Sequence, residues 1–231
     1  MKINFTAFDD LIVTHGQLAA RYRGLNIQSK EKHMPKAVPA KFPRSLRTLS
    51  PAQITDAVKR LAAPTGTDRF AAGKSLIATA EKYPLRVYPH FAALAVLLGT
   101  ESKIVRWNVQ LLLAALARVD AHNQIPSILD AYLAFIPGPN MISAANAILG
   151  AAQIARARPE FLPRILPAIL QVESAAYETS ECRNAAIAHA LDALESLWPA
   201  VGQDPAVRAF VERQKTNPRP AAARRARALM P

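Results

Sequence analysis

Apolar residues recur along most of this chain at the three- and four-residue spacing of helices, and prolines mark the pattern at nearly regular intervals. Pro51, Pro89, Pro126 and Pro163 lie 38, 37 and 37 residues apart, and each one opens an apolar segment with helical spacing. A second helical segment follows each of these after a short break. A last pair begins at Pro205, 42 residues after Pro163, so the register loosens there. The pattern predicts an all-α body of ten helices, paired as five helical hairpins over about residues 51–230.

A helical hairpin repeated at this length is typical of α-solenoids. The second segments of neighbouring pairs also align, with 104–117 matching 141–154 at an offset of 37. On these features the chain resembles the HEAT-repeat family over about residues 51–230. The resemblance implies a right-handed superhelix whose second helices line a concave binding face. The sequence departs from the family pattern because its turns lack a regular aspartate, and only Arg106 and Arg183 occupy the place of the family's basic residue.

The region before the repeats divides into two segments. Residues 1–25 have the apolar spacing of an amphipathic helix, which would either dock on the body or act as a tethered helix for a partner. Residues 26–49 are basic and contain prolines at 35, 39 and 43, which predicts a flexible linker that does not pack on the body. The repeat domain is therefore expected to span 50–230.

The net charge of +12 is concentrated at the two ends of the chain. Residues 1–50 carry +6 and residues 200–231 carry +5, whereas residues 51–199 carry only +1. A groove that holds DNA needs cations along its whole length, because phosphate neutralisation supplies most of the affinity. Weak, sequence-independent nucleic-acid binding through the tails is the most that this distribution predicts. The candidate tail residues, which also suit a polar cap on the last helix, are Arg219, Arg224, Arg225 and Arg227.

No group of residues assembles a catalytic centre, a metal site or a cofactor site, so neither enzyme activity nor a cofactor is predicted. Gly73-Lys74-Ser75 resembles the end of a phosphate-binding loop, but the required earlier glycine is replaced by Asp68 and no strand precedes it. Cys182 and His189 lack further ligands of the kind that metals need. The apolar runs are too short to cross a membrane, and the single cysteine fits a reducing compartment, so a cytoplasmic location is expected.

The best candidates for a binding surface are polar residues on the second helices. Lys103, Arg106 and Gln110 share one helix face, and Ile104, Trp107, Leu111 and Ala115 form another that we interpret as the buried one. Trp107 is accordingly expected to pack between repeats. A polar column of this kind is equally compatible with a solvated helix face. The complete set of predicted concave-face residues is Lys103, Arg106, Gln110, Asn140, Ser143, Asn146 and Arg183.

These features favour a non-enzymatic scaffold or adaptor that binds a protein partner on its concave face. The first alternative is a nucleic-acid-binding or DNA-repair protein of the HEAT-like alkylpurine glycosylase type. Those enzymes use a basic cleft with aromatic residues and a carboxylate, which cannot be matched residue by residue here. The second alternative is an accessory subunit of an enzyme, which differs from the scaffold only in its partner.

Overall fold

Prolines and capping residues begin the helices, as the sequence predicts. Ser50 accepts a hydrogen bond from the backbone of Gln53, and the Gln53 side chain accepts one from the backbone N–H of Ser50 (2.9 Å), which completes a capping box before Pro51. Asp204 caps the helix that begins at Pro205, because its carboxylate accepts hydrogen bonds from the backbone N–H groups of Ala206 (2.8 Å) and Val207 (3.1 Å). Each of these caps satisfies backbone N–H groups that have no partner inside the helix.

The computed structural model describes residues 48–231, and every regular element in that range is helical. Short 3₁₀ turns at Tyr88–His90, Leu97–Gly99, Ala117–Val119, Pro159–Phe161 and Gln171–Glu173 extend or join the α-helices. The α-helices are α1 (Pro51–Ala62), α2 (Asp68–Lys82), α3 (Pro84–Val87), α4 (Phe91–Val96), α5 (Lys103–Leu116), α6 (Ile125–Leu133), α7 (Met141–Ala157), α8 (Leu162–Leu170), α9 (Ser180–Val201), α10 (Pro205–Gln214) and α11 (Pro220–Leu229). The all-helical prediction is thus confirmed for these residues.

One predicted helix differs in its boundaries. The segment expected to begin at Pro89 is divided into α3, a 3₁₀ turn and α4, and the α-helical part begins only at Phe91. Proline has no N–H to donate to the preceding turn, which accounts for the break in regular α-helix at Tyr88–His90.

The longer helices pack in chain order. Helix α2 packs on α5, α5 on α7, α7 on α9, and α9 on α11. The remaining helices cover this row, with α1 against α2, α4 against α5, α6 and α8 against α7, and α10 against α11. The apolar core lies between these elements and is rich in alanine on α7 and α9, which allows the helix backbones to approach closely.

Polar contacts join residues that are about one sequence period apart. The Arg118 side chain donates to the carbonyl of Ala80 (2.9 Å), and Arg158 donates to the carboxylate of Asp120 (2.9 Å). Each pair is separated by 38 residues. Similar contacts join Arg213 to Glu173 and Arg219 to Glu181. The period of the sequence therefore corresponds to contacts between neighbouring helix pairs.

The N-terminal segment 1–25 and most of the linker, residues 26–47, lie outside the described residues. At the end of the linker, Leu49 packs against the core, and its N–H donates to the Thr79 hydroxyl (3.0 Å). Packing therefore begins at least one residue earlier than the expected boundary at 50. Within 48–231, none of the helices combines the length and the apolarity needed to cross a bilayer.

Candidate functional site

The exposed face of α5 is apolar and cationic. Lys103 and Ile104 are exposed, with 43% of Ile104 accessible, and Trp107 and Leu111 are partly buried. The buried stripe of α5 instead contains Val105, Val109, Leu112 and Leu116. The predicted buried face is therefore wrong at Ile104, whereas Ala115 is buried as expected and Trp107, expected to pack between repeats, bonds to Ser143. The residues of α5 that are exposed or partly buried are three apolar and three polar ones: Ile104, Trp107, Leu111, Lys103, Arg106 and Asn108.

Several of the predicted binding residues instead form an internal bridge between α5 and α7. The amide of the fully buried Gln110 donates to the carbonyl of Ser143 (3.1 Å), and the Trp107 indole N–H donates to the Ser143 hydroxyl (2.9 Å). The Asn140 side chain accepts from the backbone N–H of Ser143 (3.0 Å) and also from its hydroxyl (3.1 Å). Asn146 is buried beside this bridge. These hydrogen bonds satisfy polar groups in the interior and fix the position of α5 against α7.

Arg106 lies at the edge of this bridge and is partly buried. Its guanidinium carbon stands 5.4 Å from the centre of the Phe135 ring, which is a cation–π distance. Arg106 Nε is buried without a hydrogen-bond partner, and so is the side-chain oxygen of Gln110, one helical turn further along. Within residues 48–231, Arg106 forms no ion pair. Among the partly buried predicted residues, Arg106 is therefore the one whose hydrogen-bonding capacity is least used.

Arg183 occupies the corresponding position of α9, the fourth residue after the N-cap. Its Nε donates to the carbonyl of Ala175 (3.0 Å) in the loop that precedes α9. The sequence places Arg106 and Arg183 in equivalent positions, but only Arg183 is satisfied by its own chain. The structure keeps these two residues on different helices and does not bring them together.

The tail arginines are used in part to hold α11 in place. Arg219 pairs with Glu181, Arg225 pairs with Asp192 (2.5 Å), and Arg227 donates to the carbonyl of Lys215 (2.7 Å). Arg224 is exposed. These contacts agree with the interpretation of the tail as a polar cap on the last helix.

Burial raises the pKa of Asp192 to about 6, although the ion pair with Arg225 acts in the opposite direction. The carboxylate of Glu195, on the same helix, adds to the increase in this pKa. Asp192 thus joins α9 to α11 through a contact whose charge changes in mildly acidic solution.

Asp120 is a buried polar centre that the sequence analysis did not identify. Its carboxylate accepts hydrogen bonds from the Tyr88 hydroxyl (2.7 Å) and from the backbone N–H groups of Gln124 (2.7 Å) and Ile125 (3.0 Å). Burial by itself would raise the pKa of Asp120, but these hydrogen bonds and the charge of Arg158 together lower it. An aspartate shortly before a helix start is a capping signal, so its role at α6 was detectable, whereas its distant partners were not.

The other motifs have structural explanations. Gly73-Lys74-Ser75 lies inside α2, and a Cβ at Gly73 would stand 2.8 Å from the Asn108 side chain, so the glycine permits close packing of α2 on α5. Cys182 is buried in the first turn of α9. Among the described residues, no three His, Cys, Asp or Glu side chains are grouped closely enough to hold a metal ion.

Comparison with protein-family models and with curated protein sequences gave no match.

Proposed function

We propose that this protein is a non-enzymatic scaffold or adaptor that binds a protein partner, built as a right-handed HEAT-like solenoid of about five hairpins. The packing of α2, α5, α7, α9 and α11 in chain order supports the solenoid. In such an arrangement the second helix of each pair lines the concave surface, and the first helix lies on the convex side. The face of α5 would then belong to the concave surface.

The observation that carries the protein-binding proposal is the exposure of apolar residues on α5. Ile104 is 43% exposed, and the partly buried Trp107 and Leu111 follow it at helical spacing. Exposed apolar groups next to an aromatic side chain are typical of the centre of a protein interface. The nearly neutral charge of residues 51–199 makes the same face poorly suited to a polyanion.

Affinity capture from native cell extract tests this proposal, performed in parallel with and without nuclease. We expect the full-length protein to retain a protein partner whether or not nuclease is present. Ile104→Asp places a charge in the proposed interface and should abolish capture. Leu85→Asp is the matched control, because Leu85 is 70% exposed on α3, in the first-helix part of the same pair.

Capture that depends on intact nucleic acid would contradict the proposal. Equal capture by the wild-type protein and by Ile104→Asp would also contradict it, provided that both proteins show the same helical content and melting temperature.

A further inference from the structure

We propose that Arg106 is the receptor for a carboxylate of the partner, and that the partner presents it on an acidic peptide segment that also carries apolar side chains. This inference rests on the proposed protein-binding function and specifies the chemistry of the same face. Recognition of the partner's carboxylate is assigned to Arg106 and the residues next to it.

Arg106 differs from the other partly buried arginines in the described part of the chain. Arg158 pairs with Asp120 and Glu160, Arg219 pairs with Glu181, and Arg225 pairs with Asp192. Arg69 and Arg183 instead donate to backbone carbonyls. A buried Nε without a partner is shared by Arg69, Arg106 and Arg219. Arg106 differs because its terminal nitrogens, which are not buried, also have no acceptor within residues 48–231. A carboxylate of a ligand would supply that acceptor.

The loop before α5 explains why Arg106 is left without an acceptor. Three residues, 100–102, separate the Leu97–Gly99 turn from α5, whereas six residues, 174–179, separate the Gln171–Glu173 turn from α9. The carbonyl that accepts from Arg183 belongs to the longer loop. The shorter loop supplies no such acceptor to Arg106, so the equivalent position in α5 is open to an external one.

The groups around Arg106 indicate the chemistry of the occupant. The guanidinium carbon of Arg106 stands 5.4 Å from the centre of the Phe135 ring, and carboxylates match the planar donor arrangement of a guanidinium group with two parallel hydrogen bonds. Lys103, one turn earlier, is exposed and forms no ion pair within residues 48–231, so a second carboxylate can be accommodated. Ile104 and Trp107 offer apolar contact beside these cations.

The oxygen of Gln110 lies below this region and is closed to an external ligand, because Gln110 is fully buried. The Gln110 amide nitrogen faces the carbonyl of Ser143, which fixes the orientation of this amide and leaves its oxygen without a donor. The exposed apolar Ile104 and the net charge of only +1 over residues 51–199 suit a peptide with a few carboxylates better than a polyanion. The observations therefore favour an acidic peptide over a nucleic acid.

The chain contains two tryptophans, Trp107 and Trp198. The test uses the full-length protein with Trp198→Phe, so that its tryptophan emission comes from Trp107 alone. The probe is a short synthetic helical peptide with leucines on one face and glutamates on the other. A second peptide has glutamine in place of every glutamate, and a short DNA duplex is the third probe. Binding is measured from Trp107 emission and from the anisotropy of the labelled probe.

We expect the glutamate peptide to bind saturably and the glutamine peptide to bind much more weakly. Arg106→Gln should weaken glutamate-peptide binding by about tenfold or more, as expected for loss of a charge-assisted pair. Arg106→Lys, which keeps the charge but lacks the planar donor pair, should fall between Arg106→Gln and the unsubstituted protein. Arg86→Gln is the matched control and should leave the affinity unchanged, because Arg86 is an exposed arginine on α3 that also lies over an aromatic ring, that of Tyr83. Circular dichroism and the melting temperature establish that each variant is folded.

The inference is overturned if the glutamate peptide does not bind, if the two peptides bind equally, or if Arg106→Gln behaves like Arg86→Gln. It is also overturned if Arg106→Gln weakens binding of the DNA duplex and leaves peptide binding unchanged. Capture from extract separates this failure from that of the proposed function. If the partner is lost with Ile104→Asp but retained with Arg106→Gln, the scaffold proposal is supported and the proposal that Arg106 binds a carboxylate is contradicted.

Discussion

Gly150 on α7 provides the space occupied by the hydroxyl of Tyr132. A Cβ built at position 150 would lie 1.9 Å from that hydroxyl and 3.0 Å from the Ala114 methyl group. The Tyr132 side chain is fully buried, and its hydroxyl donates to the carbonyl of Gln110 (2.9 Å). Three helices, α5, α6 and α7, therefore meet at one glycine.

Gly150→Ala should destabilise the protein by about 1–3 kcal/mol, because the methyl group overpacks this contact. Tyr132→Phe alone should cost about 1 kcal/mol through loss of the hydrogen bond. In the double variant the clash is relieved, so its loss of stability should be smaller than the sum of the two single losses. Urea unfolding of the four proteins measures this coupling, and strict additivity would show that the hydroxyl and the glycine do not interact.

Individual residues were the level at which sequence analysis was least informative. On α5, the sets Ile104, Trp107, Leu111 and Val105, Val109, Leu112 are both apolar at helical spacing, so periodicity alone could not choose the buried face. The buried face is the one that contacts α2 and α7, which both pack on α5, and Gln110 is buried with it against Ser143. The unsatisfied state of Arg106 depends on the length of a loop and on the position of Phe135, neither of which is visible in a periodic pattern.

At the level of elements, prolines and capping residues made most helix starts predictable, because their effects are local. The contacts that fix one helix pair against the next were not predictable, since their partners are far apart in sequence. Asp120 is the clearest case, because it joins Tyr88, the start of α6 and Arg158.

Asp120→Ala should destabilise the protein by about 3–5 kcal/mol, because it leaves Arg158 and several N–H and O–H donors without their buried acceptor. Asp130→Ala is the control, since Asp130 forms an exposed ion pair with Arg164 and its loss should cost less than about 1 kcal/mol. Denaturant midpoints of the two variants measure the difference. Equal losses would mean that burial does not strengthen the Asp120 contacts.

The attachment of α11 to α9 should depend on pH through Asp192. Its pKa is about 6 in the folded protein and near 3.8 in the unfolded chain, so the folded state binds the proton more tightly. The contribution of Asp192 to the free energy of unfolding is therefore largest below about pH 4 and falls as the pH rises to about 6.

Asp192→Asn should remove this dependence, so the stability difference between wild type and variant should decline from pH 4 to pH 6 and then become constant. Thermal unfolding in buffers across this range measures it. A difference that increases with pH would show that the ion pair with Arg225 outweighs burial of the carboxylate.

For the whole molecule, the distribution of charge limits any interaction with nucleic acid. The ends of the chain carry +11 of the net +12, and three of the tail arginines are engaged in contacts within the body. Full-length protein should bind duplex DNA weakly at low salt and lose that binding steeply as salt increases.

Replacing the exposed Arg224 by glutamine should reduce this residual binding and its dependence on salt without changing the melting temperature by much. Lys74→Gln is the control in the body, since Lys74 is exposed on α2. Fluorescence anisotropy with a labelled DNA duplex at low and moderate salt compares the tail variant with Lys74→Gln. A larger effect from Lys74→Gln would place nucleic-acid binding on the repeat domain.

The most direct test is site-specific photo-crosslinking from Ile104 and Leu85, two of the exposed apolar residues of one helix pair. A photoreactive amino acid replaces Ile104 on the second helix or Leu85 on the first-helix side, and the crosslinked material is treated with nuclease or with protease. The account predicts a discrete protein adduct from position 104, resistant to nuclease, and none from position 85. An adduct from position 85 alone, or one from position 104 that nuclease removes, would contradict it.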